Sequence, residues 1–181
     1  APAVTAGLST VAIRVPAHPV MRAVLALAGV PLAAPSANRS GAVSPTCADH
    51  VVGSLAGRID LVLDGGQTQQ GLESTIVALR ADGWQILRPG PITAAALATV
   101  LGPPLTGGST GIEAPGQLAS HYAPGKPMRL EADDTRDGEF RIGLGRDGGD
   151  FNLSPSGDLT EAASRLYAAL HAAVTAPQPR V

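Results

Sequence analysis

Residues 33–46 read A-A-P-S-A-N-R-S-G-A-V-S-P-T and hold the densest set of anion-binding groups in the chain. Ser36, Asn38, Ser40, Ser44 and Thr46 supply hydroxyls and an amide, while Pro35, Gly41 and Pro45 interrupt any regular element. An apolar run, Val24 to Leu32, leads in; an amphipathic run, Cys47 to Leu55, leads out, with Asp49 at capping-box spacing from Thr46. The pattern predicts the end of a buried element, a hydroxyl-rich loop and a helix N-terminus. Such a loop offers free backbone N–H groups and the positive end of a helix dipole, which suits phosphate. The same residue types also serve as ordinary turn and capping groups, each bonding its own backbone. No Walker pattern G-x-x-x-x-G-K-[ST] is present. Residue types alone leave both readings open.

Three separated arginines, Arg14, Arg39 and Arg88, add cations to this set. Arg14 sits inside S-T-V-A-I-R-V, and by spacing alone it reads as a surface-facing charge on a half-exposed strand. His18, His50, His121 and His171 never fall at metal-ligand spacing with Cys or a carboxylate. No G-x-S-x-G elbow exists, so a serine nucleophile has no recognisable setting. Asp64 and Glu73 could act as acid and base; Asp64 reads instead as part of the Gly65-Gly66 turn, and Glu73 as facing solvent or a local Arg. Hydroxyls, amides and arginines suit phosphate transfer by positioning better than covalent catalysis.

The elements that must position these groups follow in order. Ser9 to Val15 reads as a strand ended by Pro16, and Pro19 opens a helix to about Ala28, stopped by Gly29. After the Cys47 helix, Arg58 to Gly66 reads as a buried strand, and Gly71 to Leu79 as another. Ala81-Asp82-Gly83 signals a hairpin returning through Trp84 to Leu87, and Thr93 caps an Ala-rich helix to about Leu101. Residues 103–127 are rich in Pro and Gly, lack any period and contain S-H-Y-A-P, which is linker chemistry. Met128 to Leu130 and Phe140 to Leu144 read as short strands, and Asp158 to about Val174 as an amphipathic helix. The expected fold class is therefore α/β, with a first domain over 1–102, a linker over 103–127 and a second α/β unit over 128–181.

Composition narrows the class further. With 44% hydrophobic residues but only 3% aromatics, the core must be built from Ala, Val, Leu and Ile. The net charge of −2 indicates no global attraction to nucleic acid or membrane. Six Arg face five acids over 1–102, whereas 103–181 carries seven basic residues against ten acids. A single cysteine, Cys47, excludes an internal disulfide and fits a reducing compartment. No apolar run approaches the length of a membrane span.

Several of these stretches together resemble the YrdC-type L-threonylcarbamoyladenylate synthases in their longer, two-domain form. They are T-V-A-I-R-V-P at 10–16, A-P-S-A-N-R-S-G-A-V-S-P-T at 34–46, D-L-V-L-D-G-G at 60–66, G-L-E-S-T-I-V at 71–77, I-L-R-P-G-P-I-T at 86–93 and S-H-Y-A-P at 120–124. The run from Asn152 to Leu170 resembles the C-terminal domain. Each motif alone is weak, but in this order they are specific. The resemblance implies a twisted mixed sheet with helices, then a linker and a partial Rossmann-like domain. It implies a nucleotidyltransferase that joins L-threonine, bicarbonate and ATP, with Mg2+, into L-threonylcarbamoyl-AMP and pyrophosphate. The product then serves separate transferase proteins that modify an adenosine in tRNA, in the cytoplasm.

Carried onto this sequence, the resemblance gives Thr10, Ser36, Asn38, Ser44 and Arg88 to ATP, with Tyr122 folding over the nucleotide from the linker. Arg14 would pair with the threonine carboxylate, while Ala34 and Ser74 would line the threonine pocket. No residue is expected to form a covalent intermediate. The family's N-terminal K-x-R region and the last strand-and-helix unit of its C-terminal domain have no counterpart here. The chain is thus expected to be an internal portion of a longer enzyme, incomplete in fold and poorly active alone. The lost charge-assisted hydrogen bonds would amount to roughly 1.5–3 kcal/mol each. A competing reading is a non-catalytic double-stranded RNA-binding module, against which the net charge of −2 and five aromatics speak. Direct tRNA binding is not expected.

Overall fold

The structure is a computed structural model that describes residues 2–5, 7–106, 113–114, 123–146 and 148–181. Its elements run α1 (Pro2–Thr5), α2 (Pro19–Ala28), α3 (Ala48–Leu55), β1 (Ile76–Arg80), β2 (Gly83–Arg88), α4 (Ala94–Leu101), β3 (Ile142–Gly143), β4 (Phe151–Asn152) and α5 (Leu159–Thr175). They divide between two compact units, Ala1–Ser36 with Thr75–Leu118, and Ala37–Ser74 with Ala119–Val181.

In the first unit local signals set the helix ends. Pro19 opens α2 with its ring-fixed φ, and Gly29 closes it at φ +65°, its N–H donating to the Leu25 carbonyl. Thr93 caps α4 by accepting from Ala96 N at 3.2 Å. β1 and β2 form an antiparallel hairpin turned at Ala81-Asp82, with a bulge between Ile76 and Val77. Trp84 on β2, 2% exposed, anchors this hairpin. Its indole N–H donates to the Gly102 carbonyl at 3.0 Å, and its own carbonyl accepts from Leu105 N at 2.8 Å. The chain after α4 is thereby bound back onto β2. Thr75 and Ile92 bond reciprocally: the Thr75 hydroxyl donates to Ile92 O at 2.8 Å and accepts from Ile92 N at 3.0 Å. Arg80 and Glu113 close an ion pair at 2.5 Å.

The second unit is centred on Val43, Tyr167 and Leu170, against which Leu72, Leu166 and Ile142 pack. The last of these lies on β3, which pairs in parallel with β4. α5 is the long element here, and both its ends are satisfied. Asp158 Oδ1 accepts from Glu161 N at 2.7 Å. The fully buried Ser154 accepts from Asp158 N at 3.0 Å and donates to Glu161 Oε2 at 2.5 Å. At the far end Lys126 Nζ donates to the carbonyls of Ala173 and Ala176, each at 2.6 Å, placing a cation on the negative end of the dipole. Arg129 joins Asp134 and Glu139, holding the Glu139 carboxyl below the usual carboxylate range.

The mixed α/β class holds, but the sheet is reduced to two-stranded pairs among the described residues. Residues 9–15 and 58–66, expected as strands, enter no ladder, and β1 begins only at Ile76. Residues 128–130 likewise form no strand, and the strand expected over 140–144 shrinks to Ile142–Gly143. The physical reason is that alternation specifies a face, whereas a strand also needs a partner backbone. Val11, Ile13 and Val15 accordingly stand 53%, 85% and 91% exposed.

Candidate functional site

The hydroxyl-rich stretch is fixed from several sides within the second unit. Asn38 is half-buried, and its amide N–H groups donate to the carbonyls of Arg39 at 3.1 Å and Ala42 at 3.0 Å. Both amide hydrogens thus shape the loop, and its Oδ1 is buried without a hydrogen-bond partner among the described residues. As placed, Asn38 has neither amide hydrogen free for a ligand, and its oxygen is shielded from one. Arg39 ties the loop to the end of α3: its backbone N–H donates to the Ser54 hydroxyl at 2.9 Å, and its Nε donates to Ser54 O at 3.1 Å. Gly41 turns the chain at φ +81°, and its carbonyl accepts from Ala123 N at 3.0 Å. The residue that follows Tyr122 in sequence therefore meets this stretch directly.

Ser44 and Thr46 are both buried. The Ser44 hydroxyl donates to Glu73 Oε1 at 2.6 Å, a charge-assisted bond. Thr46 does not cap α3, whose N-cap is Cys47 without a side-chain bond. Its N–H and hydroxyl both approach His50 Nδ1, at 3.3 and 3.2 Å. The capping box expected with Asp49 is thus replaced by a bond one helical turn on, because the imidazole reaches the Thr46 backbone. His50 stacks on His171 of α5 with ring centroids 3.6 Å apart and planes inclined by 14°. His171 Nε2 donates to the Ser44 carbonyl at 3.0 Å. Burial, together with the nearby His171, pushes the His50 imidazole below its ordinary value, and Asp49 opposes this.

The expected site residues divide between the units. Asn38, Ser44 and Ser74 lie in the second, where the Ser44–Glu73 bond brings Ser44 beside the segment that carries Ser74. Thr10, Arg14, Ala34 and Ser36 lie in the first and are exposed, while Arg88 at the end of β2 is only 8% exposed. Arg14 therefore has the solvent-facing position that its spacing alone suggests. Tyr122 lies outside the described residues. Asp64 behaves as expected, its Oδ1 accepting from Gly66 N at 2.8 Å. Glu73 differs from expectation, since it takes a serine hydroxyl. Sequence reasoning missed Glu73, His50 and His171 as supports of this stretch. The spacing from Thr46 to His50, one turn across a helix start, was a signal for one of them; the pairing with His171 left none.

Chemically, the arrangement is a mixed α/β scaffold presenting a hydrogen-bonded, hydroxyl-bearing turn ahead of a helix, a class suited to anionic ligands held by positioning. Residues 1–90 match the Sua5–YciO–YrdC family, described as "Telomere recombination", and residues 92–175 match the threonylcarbamoyl-AMP synthase C-terminal domain. The chain belongs to the Sua5–YrdC family. It is 46% identical over 134 residues to the threonylcarbamoyl-AMP synthase of Bacillus subtilis, covering 71% of this chain and 39% of that protein. It is 42% identical over 127 residues to the protein of that name from Pyrococcus abyssi, covering 67% of this chain and 37% of the relative. The crystal structure of P. abyssi Sua5 complexed with L-threonine superposes with a TM-score of 0.81 at 29% identity, over 99% of this chain and 60% of that one. The chain thus spans about two-fifths of the length of these curated relatives.

Proposed function

We propose that the protein carrying this chain is a nucleotidyltransferase making L-threonylcarbamoyl-AMP from L-threonine, bicarbonate and ATP, with release of pyrophosphate. The observation that supports it most is the match to both family segments in order, together with the likeness to a relative solved with L-threonine. In this reaction the threonine amine captures carbon dioxide as a carbamate. A carbamate oxygen then attacks the α-phosphorus of ATP, and the bond to the pyrophosphate oxygen breaks. No enzyme nucleophile is required, and the protein's task is to hold two anionic reactants in line. Magnesium enters with ATP as part of the substrate.

Ser44 would serve by turning its hydroxyl from Glu73 to a phosphate oxygen, since the single proton it now gives the carboxylate is the one a phosphate needs. Its backbone is held by His171. Ser36, Thr10 and Arg88 would complete the ATP site with Tyr122, which precedes the residue bonded to Gly41. Asn38 would set the loop, and would reach a phosphate oxygen only by releasing the Arg39 or Ala42 carbonyl. Arg14 would take the threonine carboxylate, and Ala34 and Ser74 would line the amino-acid pocket. The product would pass to tRNA-modifying transferase proteins in the cytoplasm. Among the described residues, no helix is long and apolar enough to cross a membrane.

The double-stranded RNA-binding alternative finds no support in a net charge of −2 or in the names of the relatives. Calorimetric titration with ATP and then L-threonine, both with magnesium, tests the reading on this chain, and pyrophosphate release tests it on the longer protein. Arg14→Ala should raise the threonine requirement far more than the ATP requirement. An equal loss for both would count against the assignment of Arg14. A longer protein that releases no pyrophosphate with all three substrates would overturn the reaction.

A further inference from the structure

The stacked histidines have a chemical consequence that the proposed reaction does not use. A backbone N–H can only donate, so the Thr46 N–H bond fixes His50 Nδ1 as an acceptor. His50 is therefore the neutral tautomer with its proton on Nε2. His171 must carry a proton on Nε2, because the Ser44 carbonyl can only accept. Each ring thus holds one end of the three-residue turn Ser44–Pro45–Thr46, and the two rings hold each other. A second proton on His50 would place Nδ1–H against the Thr46 N–H. The Thr46 hydroxyl can reverse and accept that proton; the Thr46 amide cannot, and it would lose its partner.

We propose that His50 and His171 are positioning residues for the Ser44–Thr46 turn, forming a latch that is closed only while His50 is neutral. The titratable groups bearing on His50 are Asp49 on α3 and His171 on α5; Glu73 is engaged by the Ser44 hydroxyl. Protonation frees the Thr46 end of the turn, and the orientation of Ser44 toward a ligand loosens with it. The latch rests on this geometry alone, whereas its effect on a ligand rests on the nucleotide reading given above.

Histidine ring-nitrogen NMR on this chain reads the tautomers directly, and amide shifts followed from about pH 8 to about pH 5 report the turn. The expected result is an Nε2–H tautomer for His50, with the Thr46 amide moving at the same midpoint as the His50 ring. An Nδ1–H tautomer, or a Thr46 amide indifferent to His50 titration, overturns the latch. The effect on ligand is read as affinity for a non-hydrolysable ATP analogue with magnesium, in this chain and in His50→Gln. Glutamine keeps an acceptor for Thr46 N–H and has no proton to gain. Affinity should weaken about tenfold on acidification, as for one lost hydrogen bond, and the variant should lack this step. Titration of the nucleotide's own phosphate is common to both proteins and cancels in the comparison. Equal pH dependence in the two would overturn the positioning role. A latch seen by NMR in a longer protein that binds no nucleotide at any pH would remove the nucleotide reading and leave the latch standing.

Discussion

Gly71 lies directly against the backbone of Ser164 on α5, so closely that a β-carbon on Gly71 would fall 1.7 Å from the Ser164 carbonyl oxygen. Its φ of +62° adds a second reason for glycine at this position. The contact seats residues 71–73 on α5, packs Leu72 against the core and presents Glu73 to Ser44. Gly71→Ala should force α5 away and cost about 3 kcal/mol or more of unfolding free energy. Urea denaturation measures this, and a loss under about 1 kcal/mol would show that α5 does not close on Gly71.

Ser44→Ala removes the hydroxyl from the Glu73 carboxylate and from the turn. Stability should fall by about 1.5–3 kcal/mol, the range for a hydrogen bond to a charged group. Ser44→Thr keeps the hydroxyl and should recover most of that loss if the added methyl is accommodated. Nucleotide affinity should fall in Ser44→Ala by about tenfold beyond any unfolding. Calorimetry at a temperature where both proteins are folded separates the two effects. Unchanged affinity would assign Ser44 to structure alone.

Much of this arrangement was legible because its signals are local. Pro19, Gly29 and Thr93 mark helix ends through φ preference and capping, and each acts as its residue type predicts. The stretch from Ser36 to Thr46 was likewise visible as a concentration of hydroxyls. What supports it was not, because Ser44 meets Glu73 from 29 positions away and His171 from 127. Thr46 illustrates the competition directly: a good capping residue was drawn off by a histidine one turn on. The unpaired segments over 9–15 and 58–66 show the same limit in sheets, where periodicity carries no information about the partner.

The His50 shift fixes the sign of a pH effect on stability. With its folded-state value held below the ordinary 6.5, the unfolded chain binds the proton more readily than the folded one. Its stabilising contribution is fully present above about pH 6.5 and is lost as pH falls through the lower folded value. Asp134 and Glu139, held low by Arg129, contribute above their ordinary values of 3.8 and 4.5 and lose that contribution only at more acid pH. Melting temperature should therefore decline in two stages, the first of which His50→Gln removes. A first stage that survives the substitution would assign it to another group.

Val11, Ile13 and Val15 stand 53%, 85% and 91% exposed within a run that enters no ladder, a strip of sequence that leaves apolar surface in water. Such a strip attracts other apolar surface, and the chain should bind a hydrophobic dye and associate as concentration rises. Ile13→Ser combined with Val15→Thr should reduce both effects. Because these side chains are already in water, the double substitution should change unfolding free energy by less than about 0.5 kcal/mol per site. Light scattering and dye fluorescence measure association, and urea denaturation measures stability. A large loss of stability would mean that the strip is covered in solution. Dye binding that survives the double substitution would place the adhesive surface elsewhere, with Leu61 and Leu63, 75% and 59% exposed, the next to replace.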